Sequence, residues 1–80
     1  MTIELRLYAS LERYMPIGTP AHAPCRIDIT EGTTVGSILE GLRVPAASVK
    51  IIFCNGIHAT GDTIPRDGDR IGVFPPVAGG

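Results

Sequence analysis

From Thr2 to Tyr8 the residues alternate without a break, with Ile3, Leu5 and Leu7 on one side of an extended chain and Thr2, Glu4, Arg6 and Tyr8 on the other. Successive side chains of a strand point to opposite faces, so this pattern predicts a strand with one face in a core and one in water. Cys25 to Thr30 repeats the pattern, with Cys25, Ile27 and Ile29 inward and Arg26, Asp28 and Thr30 outward. Two such half-buried segments predict a sheet, with the second strand antiparallel to the first. The apolar face of that sheet needs a cover.

One segment can supply it. Val35, Ile38, Leu39 and Leu42 fall at i, i+3, i+4 and i+7, which puts them on one face of a helix that Thr33 or Thr34 caps and Pro45 closes. Gly36 and Gly41 interrupt it, each costing up to about 1 kcal/mol relative to alanine. Ala9 to Met15 holds one helical turn's worth of pattern, and Pro16 to Pro24, with three prolines and a glycine, reads as a loop. Val49 to Cys54 is β-branched and aromatic and runs into Asn55-Gly56, a strong hairpin signal because both central residues of a type I′ turn need positive φ. A short strand from Ile57 returns beside it. Asp67-Gly68-Asp69 turns the chain into a last strand, Arg70 to Phe74. The order predicts an α+β fold class, one mixed sheet with one main helix packed on one face. Residues 1–80 form a single domain, with 75–80 expected to be a flexible tail; no internal repeat or linker is visible.

At 80 residues the chain is too short for a second core. Seven Lys and Arg against eight Asp and Glu give a formal charge of −1, with no basic cluster along the chain. Nucleic acid is therefore not an expected partner. No apolar run is long enough to cross a bilayer, and the alternating start does not read as a signal peptide. Cys25 and Cys54 each lie in an apolar stretch, where a free thiol behaves as a small buried hydrophobe. Reduced thiols and a cytoplasmic location are the expectation.

Most catalytic constellations fail. Gly32, Gly36 and Gly41 lack the Gly-Lys-Ser/Thr of a phosphate-binding loop, so no nucleotide or other cofactor is expected to bind this chain. His22 and His58 stand in different segments with no Cys or carboxylate at ligand spacing, and no metal site is expected. Cys54 has no basic neighbour in sequence to make a thiolate. Asp67 and Asp69 read as turn chemistry. The sheet carries more information. If Val49, Ile51 and Phe53 face the helix, Ile52 points away from it. Ile71 and Val73 inward likewise put Gly72 and Phe74 outward. Ile52 and Phe74 are thus expected to leave apolar surface on the open face, where a partner protein docks.

The sequence ends Phe74-Pro75-Pro76-Val77-Ala78-Gly79-Gly80. Pro75 and Pro76 lack amide hydrogens and hold φ near −65°, so they stop the preceding strand and stiffen an extended exit. Six extended residues reach roughly 20 Å. Gly79 and Gly80 have no Cβ, so a narrow channel in another protein can take the backbone and expose the last carbonyl to attack. On this reading Gly80 is the reacting residue. Gly79 permits entry, and Pro75, Pro76, Val77 and Ala78 set the path.

The residues resemble the ubiquitin-like sulfur carriers, namely the small subunit of molybdopterin synthase and the thiamine-pathway sulfur carrier. The resemblance rests on Ala9-Ser10-Leu11-Glu12-Arg13 after the first strand, Gly32-Thr33-Thr34-Val35 before the helix, Asn55-Gly56, Asp67-Gly68-Asp69-Arg70-Ile71, and the di-glycine ending. It implies a β-grasp (ubiquitin-like) fold with the first and last strands parallel at the sheet centre. It also implies a carrier that is not an enzyme alone. A ubiquitin-activating-like adenylyltransferase would use ATP and Mg to adenylate the Gly80 carboxylate, and sulfur would replace AMP to give a thiocarboxylate. The molybdopterin synthase large subunit, or thiazole synthase in the thiamine pathway, would take that sulfur. The Phe-Pro-Pro-Val-Ala-Gly-Gly ending looks more like the molybdopterin synthase subunit. Two other readings stay open: a ubiquitin-like modifier conjugated through Gly80, and a plain interaction module.

Overall fold

Strand β1 (Thr2–Leu7) lies near the middle of a five-strand sheet of order β2-β1-β5-β3-β4 in the computed structural model, which describes residues 1–76. β2 (Cys25–Asp28) pairs antiparallel with β1 along one side, with Ile3 opposite Ile27. β5 (Arg70–Phe74) pairs parallel along the other side, with Leu5 opposite Ile71 and Leu7 opposite Val73. β3 (Ile51–Cys54) and β4 (Ile57–Ala59) complete the sheet as an antiparallel hairpin. The parallel pair at the centre is the arrangement expected of the β-grasp fold.

Helix α1 (Val35–Gly41) crosses one face. Thr34 caps it, its hydroxyl oxygen accepting from the Ser37 amide at 3.1 Å. The two preceding amides, which no helical carbonyl can serve, donate instead to the loop after β4: Val35 to the Thr63 carbonyl and Gly36 to the Gly61 carbonyl, both at 2.9 Å. Gly36 is thereby explained. A Cβ there would stand 3.1 Å from the Gly61 oxygen, so the glycine that weakens the helix lets the loop seal its start.

The helix ends four residues before Pro45. Arg43 takes the left-handed conformation at φ +64, its amide reaching the Glu40 carbonyl at 2.9 Å while the Val44 amide reaches Leu39 at 3.0 Å. These two bonds make a Schellman ending, with buried Val44 and Leu39 as its apolar contact. Such an ending usually uses glycine, and an arginine in that position gives no sequence signal.

Ile3, Leu5, Leu7, Leu11, Val35, Ile38, Leu39, Val44, Ile52, Ile71 and Val73 form the core between sheet and helix. Leu5, Val35 and Val73 are fully excluded from water. Ala9–Tyr14 forms a 3-10 helix that contributes Leu11 to this core. The loop from Pro16 to Pro24 runs as two turns, closed by Thr19 to Pro16 at 3.1 Å and Ala23 to Pro20 at 3.2 Å. The Asn55-Gly56 turn has φ of +53 and +80, the type I′ requirement. No helix of the described residues is long and apolar enough to cross a membrane.

Candidate functional site

The sheet face away from α1 is not covered by any element among the described residues, and its centre is Gly72. The register decides its neighbours: Arg6 lies across on β1, Phe53 lies across on β3, and Arg70 and Phe74 flank it along β5. With no side chain at 72, the Tyr8 ring leans inward, so that a Cβ on Gly72 would meet its Cε2 at 3.3 Å. Tyr8 and Phe74 stack with centroids 4.1 Å apart and planes 8° from parallel. Phe53 stands edge-on to Phe74 at 5.9 Å, and His58 meets Phe53 at 4.7 Å. The Arg6 guanidinium carbon lies 4.4 Å from the Tyr8 ring centre, within cation–π range.

This aromatic surface continues to the root of the last segment. The Phe74 carbonyl accepts from the Lys50 amide at 2.8 Å, which holds β5 against β3 up to its last residue. Beyond it, Pro75 is half-buried and Pro76 exposed. A groove of about 590 Å³ runs along Ile51, Phe53, Phe74, Pro75 and Pro76, with Ala9, Ser10 and Lys50 at its rim. The prolines thus border this apolar surface. Val77, Ala78, Gly79 and Gly80, expected to form the reacting tail, lie outside the described residues.

Phe74 is on the open face as expected. Ile52 is not: it is 8% exposed and belongs to the core. Directly opposed residues in a sheet share a face, and Ile52 opposes buried Val73. Ile51 and Phe53, expected to face the helix, therefore point outward, with Ile51 opposite Phe74. Val49 does pack on the core, but a 3-10 turn (Ala46–Ser48) precedes it and the strand begins only at Ile51. Parity counted from Val49 therefore misleads. The apolar residues that share the open face are Phe74, Tyr8, Phe53 and Ile51. The signal that finds them is the antiparallel pairing of β3 with β5 and not the apolar character of either strand.

On the far end of β5, Asp69 gathers the turns. Its carboxylate accepts from the Arg66 amide at 2.8 Å and the Asn55 side-chain amide at 2.9 Å, and Cys54 Sγ lies 3.5 Å away. Asn55 in turn accepts from the Arg70 amide at 2.9 Å. The Arg66 amide, then the Asn55 amide, holds the Asp69 carboxyl below the usual range. Burial, then the hydrogen bond and charge of Asp69, pushes the Cys54 thiol up. Burial and Asp69 thus disfavour the thiolate form of Cys54. Cys25 and Cys54 are both free. Among the described residues no group of three or more His, Cys, Asp or Glu stands at metal-binding distance.

A five-strand mixed sheet with a parallel central pair, one helix on one face and an aromatic surface on the other defines a ubiquitin-like β-grasp protein. The model of the Mut7-C ubiquitin family matches residues 1–79, and the chain belongs to that family. No curated protein sequence matches it. Among solved structures it is similar to SAMP1 from Haloferax volcanii, with a TM-score of 0.72 and 24% identity over all of both chains. It is also similar to the HVO 2177 protein of the same organism, at 0.75 and 27% over all of this chain and 87% of that one. A chain of the complex of subunits 1 and 2 of molybdopterin-converting factor from Helicobacter pylori matches at 0.61 and 24%, again over both full chains. At these identities the likeness shows a shared fold.

Proposed function

We propose that this protein is a cytoplasmic sulfur carrier whose Gly80 carboxylate is converted to a thiocarboxylate, and that it serves as the small subunit of a molybdopterin-synthase-type complex. The observation that carries the reading is the continuity of the open aromatic face with Pro75 and Pro76. Six extended residues from Pro75 reach roughly 20 Å, so a partner seated on Phe74, Tyr8 and Phe53 can take the Gly80 carboxylate into an active site at about that distance. The likeness to the molybdopterin-converting factor complex supports a large-subunit acceptor.

The chemistry asks little of the carrier. A carboxylate is a poor electrophile. An activating partner that holds ATP and Mg lets the Gly80 carboxylate oxygen attack the α-phosphorus, which releases pyrophosphate and leaves an acyl-adenylate. Hydrosulfide then attacks the carbonyl carbon and AMP leaves, giving the thiocarboxylate that the acceptor consumes. Gly79 and Gly80 supply an unhindered approach, and Val77 and Ala78 fill the channel.

A second reading has its own support. SAMP1 is named a small archaeal modifier protein, so conjugation of Gly80 to lysines of other proteins follows the same activation. Denaturing gels separate the two, because conjugates form a ladder of larger species. Deleting Gly80 tests both. Sulfur loading and conjugation disappear while thermal unfolding stays unchanged; loading that survives the deletion overturns the role of Gly80.

A further inference from the structure

We propose that the hollow over Gly72 receives a carboxylate side chain from the protein that docks on this face. The proposal rests on the docking role given to the face above, and names the chemistry of the partner's contact.

The missing side chain at 72 leaves an open hollow of about 380 Å³ at the centre of the sheet face. Its two sides differ. Phe53, Phe74 and Tyr8 wall it with aromatic rings, and Arg6 and Arg70 wall it with guanidiniums. The register explains the pairing of arginines, since Arg6 is the cross-strand partner of Gly72 and Arg70 precedes it by two on the same face. Glu4 on β1 opposes Arg70 on β5 and Arg26 on β2, but ion-pairs with neither. Among the described residues the one carboxylate within salt-bridge distance of a basic side chain is Glu12, 3.1 Å from His22 Nδ1, on another surface.

Both guanidiniums thus keep donor capacity that the described residues do not use. Arg6 Nε is buried with no hydrogen-bond partner among them, while its planar group lies on the Tyr8 ring. Stacking fixes the fork in place, so less side-chain freedom is lost when an acceptor arrives. Two arginines against one glutamate give the hollow a net positive charge beside aromatic walls. A carboxylate carried on an apolar segment meets both demands, taking bidentate hydrogen bonds from a guanidinium while its neighbours cover Phe53 and Phe74. Arginine and aromatic side chains packed together are also the composition that dominates interface energetics. Glu4 sits on the hollow's rim and disfavours a second carboxylate there, which limits the contact to one acid.

The test uses the full chain and a blocked five-residue peptide with one central glutamate flanked on each side by serine and then leucine, against the same peptide with glutamine at its centre. Amide signals are followed by nuclear magnetic resonance at low salt. The glutamate peptide shifts Arg70, Gly72 and Phe74 and binds at least about tenfold more tightly than the glutamine peptide. Arg70→Gln removes that preference, and Arg13→Gln, an equal charge change on the 3-10 helix, alters it by less than about twofold. Equal binding of the two peptides, indifference to Arg70→Gln, or no binding at millimolar peptide overturns the proposal. So does acetate or inorganic phosphate alone shifting the same amides as strongly, which would make this a small-anion site. Thiocarboxylate formation is measured separately, so failure here with sulfur loading intact leaves the carrier function standing.

Discussion

Tyr8 and Phe74 stack face to face at 4.1 Å across the parallel pair of the first and last strands. Phe74 is the last residue of β5, so this stack joins the open face, the proposed docking surface, to the point where the chain leaves the sheet. Phe74→Ala should therefore weaken binding of the large subunit or the activating enzyme by about tenfold or more, as loss of a central aromatic anchor does. Isothermal titration calorimetry checks it. Phe74 is only half-buried, so far-ultraviolet circular dichroism should be unchanged. Unaltered affinity would remove the docking role.

The facing of β3 has a stability consequence. Ile52→Ala empties core volume and should cost about 2–5 kcal/mol, whereas Ile51→Ala, on the open face, should cost under about 1 kcal/mol. In a chain of this size 1 kcal/mol moves the melting temperature by about 4–8 °C. Thermal melts thus separate the two variants clearly. A larger loss for Ile51→Ala would reverse the assignment of faces.

The two helix glycines should respond in opposite directions. Gly41 has nothing within 4 Å of a built Cβ, so Gly41→Ala should stabilise by up to about 1 kcal/mol through helix propensity. Gly36→Ala gains the same propensity but drives a methyl against the Gly61 carbonyl, and the crowding should cost about 1–3 kcal/mol. Chemical denaturation of both variants measures the contrast.

Asp69 makes stability depend on acid. Its folded carboxyl titrates below the ordinary range because the Arg66 and Asn55 amides favour the charged form, so its contribution is complete above about pH 4, the unfolded value. It is lost as pH falls through the lower folded value. Asp69→Asn should therefore be less stable than the parent at neutral pH, with the gap closing in strong acid; a constant gap contradicts this. The same variant removes the negative charge that raises Cys54, and should speed alkylation of that thiol.

Much of this fold was legible from side-chain period and turn chemistry. The alternation at Thr2–Tyr8 marked β1 and its outward Tyr8, Asn55-Gly56 marked the hairpin, and the Thr33-Thr34 pair marked the helix start, with Thr34 the cap that forms. What escaped depended on contacts distant in sequence. Ile52 was misplaced because a short apolar strand carries no parity of its own, and only its pairing with Val73 assigns the faces. Arg43 ends the helix in a conformation that its residue type does not advertise, and the use of Gly36 becomes visible only when Gly61 is beside it. At the site, Phe74 was readable from the last strand. The hollow at Gly72 was not, because Arg6 and Phe53 reach it from strands far apart in the chain.

A sulfur carrier of the proposed kind gains its sulfur on Gly80. Incubation of the full chain with an activating enzyme of the adenylyltransferase type, ATP, Mg and a sulfur donor, followed by intact-protein mass spectrometry, tests it most directly. The expected result is a mass gain equal to replacing one oxygen by sulfur, located to Gly80 by fragmentation and dependent on ATP. A mass unchanged under conditions in which the same enzyme loads its own carrier would contradict it.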